Sequence, residues 1–266
     1  MDNRPLGVFD SGLGGLTAVR AIQEKLPGED IVYLGDTLRC PYGDKSDETI
    51  LQYVTDDVDF LISQNVKAII IACNTADSHS LAQMREKCDI PVLGVIDNAA
   101  AMAAKITKNH KIGMIATAAT VRSGRYTAAI HKIDSAIEVF ELATPLLVPI
   151  IEAGHTDIFC NDLRETLENY LKILAENEID TLILGCTHYP LIREAVTEIL
   201  PNVNIVCSGE ATITELNSLL CEKDMYNFKV FGGKTTFYTT GDPENFRINA
   251  EKILDCEAVV RKSLNA

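Results

Sequence analysis

Short apolar runs alternate with helical stretches along most of this chain, and that alternation narrows the folds open to it. Leu6-Gly7-Val8-Phe9 precedes a helix-like segment from Gly15 to Leu26. Ile31-Val32-Tyr33-Leu34 leads through a loop to a long helix near Glu48 to Gln64. Ala68 to Ala72 reads as a buried strand, followed by a helix near Asp77 to Lys87. Val92 to Val95 and a helix near Asn98 to Ile106 come next. The pattern restarts at Ile112 to Ile115, Ile137 to Leu142 and Thr181 to Leu184, with helices near Asp162 to Glu176 and Tyr189 to Ile199, and Asn204-Ile205-Val206 is expected to close the series. Alternating strands and helices of this kind imply an α/β fold with parallel sheets covered on both faces. At about 150 residues per domain, 266 residues make one large or two modest domains. No low-complexity segment or flexible linker separates them.

Charge and hydropathy remove several classes of function. Lys and Arg number 24 against 38 Asp and Glu, a formal net charge of −14. That balance argues against a general nucleic-acid binder or an anionic-membrane binder, because phosphate binding rests on Lys and Arg. It leaves open a local site for a small anion. The longest apolar runs fall well short of the roughly 18 residues of a membrane-spanning helix. Met1-Asp2-Asn3-Arg4-Pro5 has no signal-peptide apolar core, so a cytoplasmic protein is expected. In a reducing compartment the eight scattered cysteines are expected as free thiols, most of them buried as small apolar residues.

In parallel α/β sheets ligands bind beyond the carboxyl ends of the strands. The residues found there are Asp10-Ser11-Gly12-Leu13-Gly14-Gly15, then Gly35-Asp36-Thr37 running into Pro41-Tyr42-Gly43, then Cys73-Asn74-Thr75. Thr117 and Thr120 follow the strand near 113, and Cys186-Thr187-His188 follows the strand near 183. Hydroxyls, amides and backbone N–H groups at helix starts can cradle carboxylates. Ala68 to Thr75 also echoes Thr181 to His188: a buried strand, a small residue, Cys, then a polar run. Either two hydrophobic strands coincide, or two similar halves each present one thiol to a shared cleft.

Each candidate has a plain structural reading beside the functional one. Two thiols across a small carbon acid could act as paired bases, one removing the α-proton and the other delivering one to the opposite face. Cys73 and Cys186 could equally be structural strand-end cysteines. Asp10 could orient the Cys73 thiol or receive a substrate ammonium, or it could cap a helix. His188 could tune Cys186 or simply pack beside Tyr189-Pro190. Glu152, alone after an apolar stretch, reads first as a solvent-facing side chain. Other motifs fail. Gly12-Leu13-Gly14-Gly15 has Thr17 where a dinucleotide fingerprint needs glycine, and Gly233-Lys234-Thr235 has Phe228 where a phosphate loop needs its first glycine. No zinc spacing occurs among the histidines.

Taken together, these motifs resemble the glutamate racemase family, part of a cofactor-independent aspartate/glutamate racemase superfamily. The resemblance runs from Gly7 to Gly15 through Asp36-Thr37, Pro41-Tyr42-Gly43, Cys73-Asn74-Thr75-Ala76, Thr117 and Thr120. It continues through Pro149 to Glu152, Gly185-Cys186-Thr187-His188-Tyr189-Pro190, and Phe237 to Asp242. The paired Cys-Asn-Thr-Ala and Gly-Cys-Thr-His-Tyr-Pro motifs are its most specific part. It implies interconversion of L- and D-glutamate for peptidoglycan, without pyridoxal phosphate, metal or other cofactor. By similarity Cys73 is the base toward D-glutamate and Cys186 toward L-glutamate, assisted by Asp10 and His188, with Glu152 a further acidic candidate. Asp10, Ser11, Pro41, Tyr42, Gly43, Asn74, Thr75, Thr117, Thr120, Thr187 and His188 are implied to hold substrate. The implied architecture is two similar α/β domains, 1–97 plus 208–266 and 98–207, with the active site in the cleft between them, in a homodimer.

The chain departs from the family pattern at Leu38, Cys40, Asp97-Asn98, Thr144 and Cys207; none of these removes an expected catalytic group. By the same resemblance, its short N-terminal lead implies no dependence on a cell-wall precursor as activator. A thiolate and a thiol that exchange roles at each turnover predict a bell-shaped pH profile. Alternatives are an aspartate racemase, a cysteine hydrolase using Cys186 with His188, and an amino-acid-binding regulatory module.

Overall fold

The structure is a computed structural model that describes residues 1–263. The chain divides into two compact units, Met1–Val95 with Thr212–Ala266, and Ile96–Ala211.

The first unit opens with β1 (Leu6–Asp10), α1 (Leu16–Lys25), β2 (Ile31–Gly35), α2 (Asp47–Ser63), β3 (Ala68–Ile71), α3 (Asn74–Lys87) and β4 (Val92–Gly94). The second unit comprises α4 (Ile96–Ile106), β5 (Lys111–Ala116), α5 (Ala118–Arg122), α6 (Arg125–Ile133), β6 (Glu138–Ala143), α7 (Leu147–Glu152), α8 (Asn161–Glu176), β7 (Thr181–Gly185), α9 (Arg193–Ile199) and β8 (Asn204–Cys207). The series does not close there. α10 (Ser208–Glu222) leads back to the first unit, which ends with β9 (Thr235–Thr239), α11 (Pro243–Leu254) and β10 (Val260–Lys262). The expected single helix from Tyr189 to Ile199 also differs: a 3-10 turn, Tyr189–Ile192, precedes α9. Pro190 lies in that first turn, where its missing N–H would have had no intrahelical acceptor.

In the first unit six strands run in the order β10-β9-β2-β1-β3-β4, all parallel. Side chains alternate between the faces with the strand period of two. Leu6, Val8, Ile31, Tyr33, Ala68 and Ile70 join one apolar cluster with residues of α1, α10 and α11. Phe9, Val32, Leu34, Ile69 and Ile71 join another with residues of α2 and α3. Both faces being covered explains why these strands read as unbroken apolar runs rather than alternating ones. At the amino ends of the strands Lys67, wholly buried, places Nζ 2.5 Å from Glu29 Oε2. The same ammonium donates to the carbonyls of Asp2 and Met225 at 2.9 and 2.7 Å.

The second unit has four parallel strands in the order β6-β5-β7-β8. Ile115, Leu182 and Leu184 face a cluster with α8, whereas Ile112, Met114 and Ile183 face one with α4 and α6. Parallel strands bring all their carboxyl ends to one edge of each sheet. Asp10 is registered with Gly35 and Gly35 with Thr239, while Ala116 is registered with Gly185 and with Ala143. No helix among the described residues is long and apolar enough to cross a membrane.

Candidate active site

In the first unit the carboxyl edge gathers around the turn after β1. Asp10 is fully buried, and its Oδ2 accepts from Gly12 N at 2.9 Å. The N-cap position of α1 itself is Gly15. Gly15 is required by close approach: a Cβ there would meet Asp10 Cβ at 2.5 Å and Tyr33 Oη at 2.9 Å. Tyr33 forms the floor of this turn, donating its hydroxyl to Gly12 O at 2.8 Å. Burial, then the neighbouring Asp10, Cys73 and Cys40, push that phenol well above its usual range, so it remains a donor.

Cys73 follows β3 and stands at the N-cap of α3 with extended backbone, φ −69° and ψ 117°. Its Sγ lies 3.4 Å from Ser11 Oγ, which brings the motifs after β1 and β3 together. The start of a 14-residue helix favours negative charge at this thiol. Asn74 and Thr75 form the first helical turn, both buried. The segment leading to Pro41 borders the same turn, since Cys40 Sγ is 3.4 Å from where a Gly12 Cβ would stand. Tyr42 and Gly43 form a 3-10 turn, Tyr42–Asp44. The Tyr42 hydroxyl points inward, to Asp36 and to Asp57 Oδ2.

In the second unit Cys186 directly follows β7 and is buried. Its Sγ is 3.8 Å from His188 Nδ1, and His188 Nε2 is 3.0 Å from Glu152 Oε1. Glu152 ends α7 with its side chain 44% exposed, so it faces solvent as its sequence context suggests, and it is also paired. The hydrogen bond from His188 holds the Glu152 carboxyl below its ordinary range. Only a short 3-10 turn follows Cys186, so His188 rather than a long helix start is the polar group beside its thiol. Thr117 caps α5, accepting from Thr120 N at 3.3 Å, and the two hydroxyls are 3.0 Å apart. Thr187 is buried beside Cys186. Thr144 Oγ1 lies 2.6 Å from the Tyr189 hydroxyl, anchoring the turn after Cys186.

Arg39, Asp57 and Tyr33 lie outside the strand-end motifs, and Thr240 lies within the Phe237 to Asp242 stretch with no individual role assigned. Asp57 alone left a clear signal: Ile50, Val54, Val58 and Leu61 define the buried stripe of α2, and Asp57 lies within it.

A family profile for Asp/Glu/Hydantoin racemase matches residues 17–216. The chain belongs to this racemase family. Among its relatives, the glutamate racemase of Lactococcus lactis subsp. cremoris (strain MG1363) is 43% identical over 258 residues, 96% of this chain and 93% of that protein. Crystal structures of racemases match over nearly the full length. The glutamate racemase isoform RacE1 of Bacillus anthracis has a TM-score of 0.94 at 38% identity, with 99% of this chain and 98% of that chain covered. The glutamate racemase of Francisella tularensis in complex with D-glutamate has a TM-score of 0.91 at 38% identity, covering 100% and 98%.

Proposed function

We propose that this protein is a glutamate racemase that interconverts L- and D-glutamate with Cys73 and Cys186 as its two acid/base groups. The observation that supports it is the paired placement of two buried thiols. Each follows a strand at the carboxyl edge of its own parallel sheet, and each lies beside a polar partner, Ser11 for Cys73 and His188 for Cys186. The substrate follows from the glutamate racemases that the chain resembles at about four residues in ten over nearly its full length. A cytoplasmic role supplying D-glutamate for peptidoglycan belongs to the same proposal.

The reaction needs one thiolate and one thiol. The thiolate removes the α-proton, and the other thiol gives a proton to the opposite face of the carbon. In the reverse direction the two exchange roles. An amino-acid α-proton is far less acidic than a thiol of reference pKa about 8.5, so the base alone is insufficient. Donors aimed at the α-carboxylate must stabilise the carbanion-like transition state. The hydroxyls and backbone N–H groups of Ser11, Asn74, Thr75, Thr117, Thr120 and Thr187 are the assigned donors, with the Pro41-Tyr42-Gly43 turn.

His188 serves Cys186 through its tautomer. The ionised Glu152 carboxylate draws the imidazole proton to Nε2, which leaves the Nδ1 lone pair facing Cys186 Sγ and able to accept its proton. Asp10 is assigned the matching role beside Cys73.

The test is proton NMR of L-glutamate in D₂O with purified protein, EDTA and no added pyridoxal phosphate. Loss of the α-proton signal with D-glutamate appearing on chiral analysis is the expected result. Exchange of aspartate but not glutamate would overturn the substrate. Exchange of neither, with thiols reduced, would overturn the two-thiol scheme.

A further inference from the structure

Beneath the Tyr42–Asp44 turn lies a buried charged cluster that the reaction above does not use. Arg39 donates from Nε to Asp36 Oδ2 at 2.6 Å, from Nη1 to Asp56 Oδ2 at 2.9 Å, and from Nη2 to Asp57 Oδ1 at 2.7 Å. Its guanidinium stacks 4.4 Å from the centre of the Tyr53 ring. Thr240 donates to Asp36 Oδ1 at 2.8 Å. Asp36 and Asp57 are buried, whereas Asp56 is 37% exposed.

The Tyr42 hydroxyl oxygen is in hydrogen-bond contact with two carboxyl groups, Asp36 Oδ2 and Asp57 Oδ2, the latter at 2.8 Å. A phenol has one proton to donate. Two ionised carboxylates around it would leave one oxygen pair with no proton between them, inside a low dielectric where such contact is costly. One carboxyl must therefore donate to the phenol oxygen. Asp36 already receives Arg39 Nε on Oδ2 and Thr240 on Oδ1, the pattern of an ionised acceptor. Asp57 Oδ2 has Tyr42 as its partner, with Arg39 on the other oxygen.

We propose that Asp57 is a protonated carboxylic acid at neutral pH and acts with Arg39 as a positioning residue for the Tyr42-Gly43 turn. Asp57 donates to Tyr42, and Tyr42 donates to Asp36. Burial, then the charge of Asp36, raises the Asp57 carboxyl well above its ordinary range, with Arg39 opposing and Asp56 adding to the shift. The groups facing it are Asp36, Arg39, Tyr42 and Asp56. With Asp57 neutral, the three aspartates and the arginine sum to −1 rather than −2, which lessens repulsion beneath a turn assigned to an anionic substrate. This inference rests on the reading of that turn as substrate-holding.

The test compares wild type, Asp57→Asn and Asp57→Ala. Asparagine reproduces the proposed acid: Oδ1 accepts from Arg39 and the amide donates to Tyr42. Infrared difference spectra of protein with ¹³C-labelled aspartate are expected to show a protonated-carboxyl band in wild type at neutral pH that is absent from Asp57→Asn. Asp57→Asn is expected to keep KM and kcat within about twofold. Asp57→Ala is expected to raise KM for glutamate about tenfold, as for one hydrogen bond lost to a buried group, with a much smaller change in kcat. Absence of the band, or a KM in Asp57→Asn as high as in Asp57→Ala, would overturn the proposal. If the alanine variant does not fold, the band and the asparagine kinetics decide alone. Failure of the glutamate assignment looks different: the wild type itself then exchanges no α-proton.

Discussion

His188 and Glu152 are joined through Nε2 and Oε1 at 3.0 Å, which leaves the other imidazole nitrogen toward Cys186. The pair lies within the second unit and links the end of α7 to the turn after β7. Because His188 holds the Glu152 carboxyl low, removing the imidazole should let it rise. We expect His188→Asn to move the Glu152 titration, followed by carboxyl ¹³C NMR, upward toward the ordinary value of about 4.3. The sign for stability follows. A carboxyl lowered in the folded state adds stability above its unfolded pKa and loses it as pH falls through the folded value. The wild-type advantage over Glu152→Gln should therefore be present near neutrality and vanish in acid.

Cys73→Ser and Cys186→Ser should each lower kcat by roughly 10²–10⁴-fold, the usual contribution of a positioned acid or base. Both side chains are nearly isosteric with the originals, so far-UV circular dichroism should not change. Near-wild-type turnover in both variants would remove the two thiols from the mechanism.

Cys207 should be inert. Burial, then the nearby Glu210, pushes its thiol up to about 12, so it holds almost no thiolate at mildly alkaline pH. Cys221 and Cys256 are exposed. Iodoacetamide labelling of the native protein, read by peptide mass spectrometry, should modify Cys221 and Cys256 while leaving Cys207 free until the protein is denatured.

Lys67→Met should destabilise the protein by about 3–5 kcal/mol, because Glu29 is left as a buried charge without its cation. Urea unfolding measures this. The double variant Lys67→Met with Glu29→Gln should recover part of the loss, since the orphaned charge is gone.

Much of the fold could be read from the chain because the central strands of each sheet are buried on both faces. Runs such as Ala68 to Ile71 and Thr181 to Gly185 have no polar alternation to confuse them. The strand-end groups were legible for the same reason: Asp10, Cys73 and Cys186 interrupt apolar runs at their carboxyl ends. Strands β9 and β10 were not, because Thr235-Thr236-Phe237-Tyr238-Thr239 is half polar and lies toward one side of its sheet. The partnerships were also hidden. His188 meets Glu152 across 36 residues, and Asp36 meets Thr240 across 204. Such pairings depend on tertiary packing, and no local periodicity encodes them.

That long-range closure sets an order for synthesis on the ribosome. The strand that covers the outer edge of β2 is β9, and it emerges only after Ile96–Ala211 has been made. The contiguous second unit has all its strands in hand first and can fold as a unit while the chain is still growing. The first sheet meanwhile waits with β2 unpaired on one side, an open template for misassociation until β9 arrives.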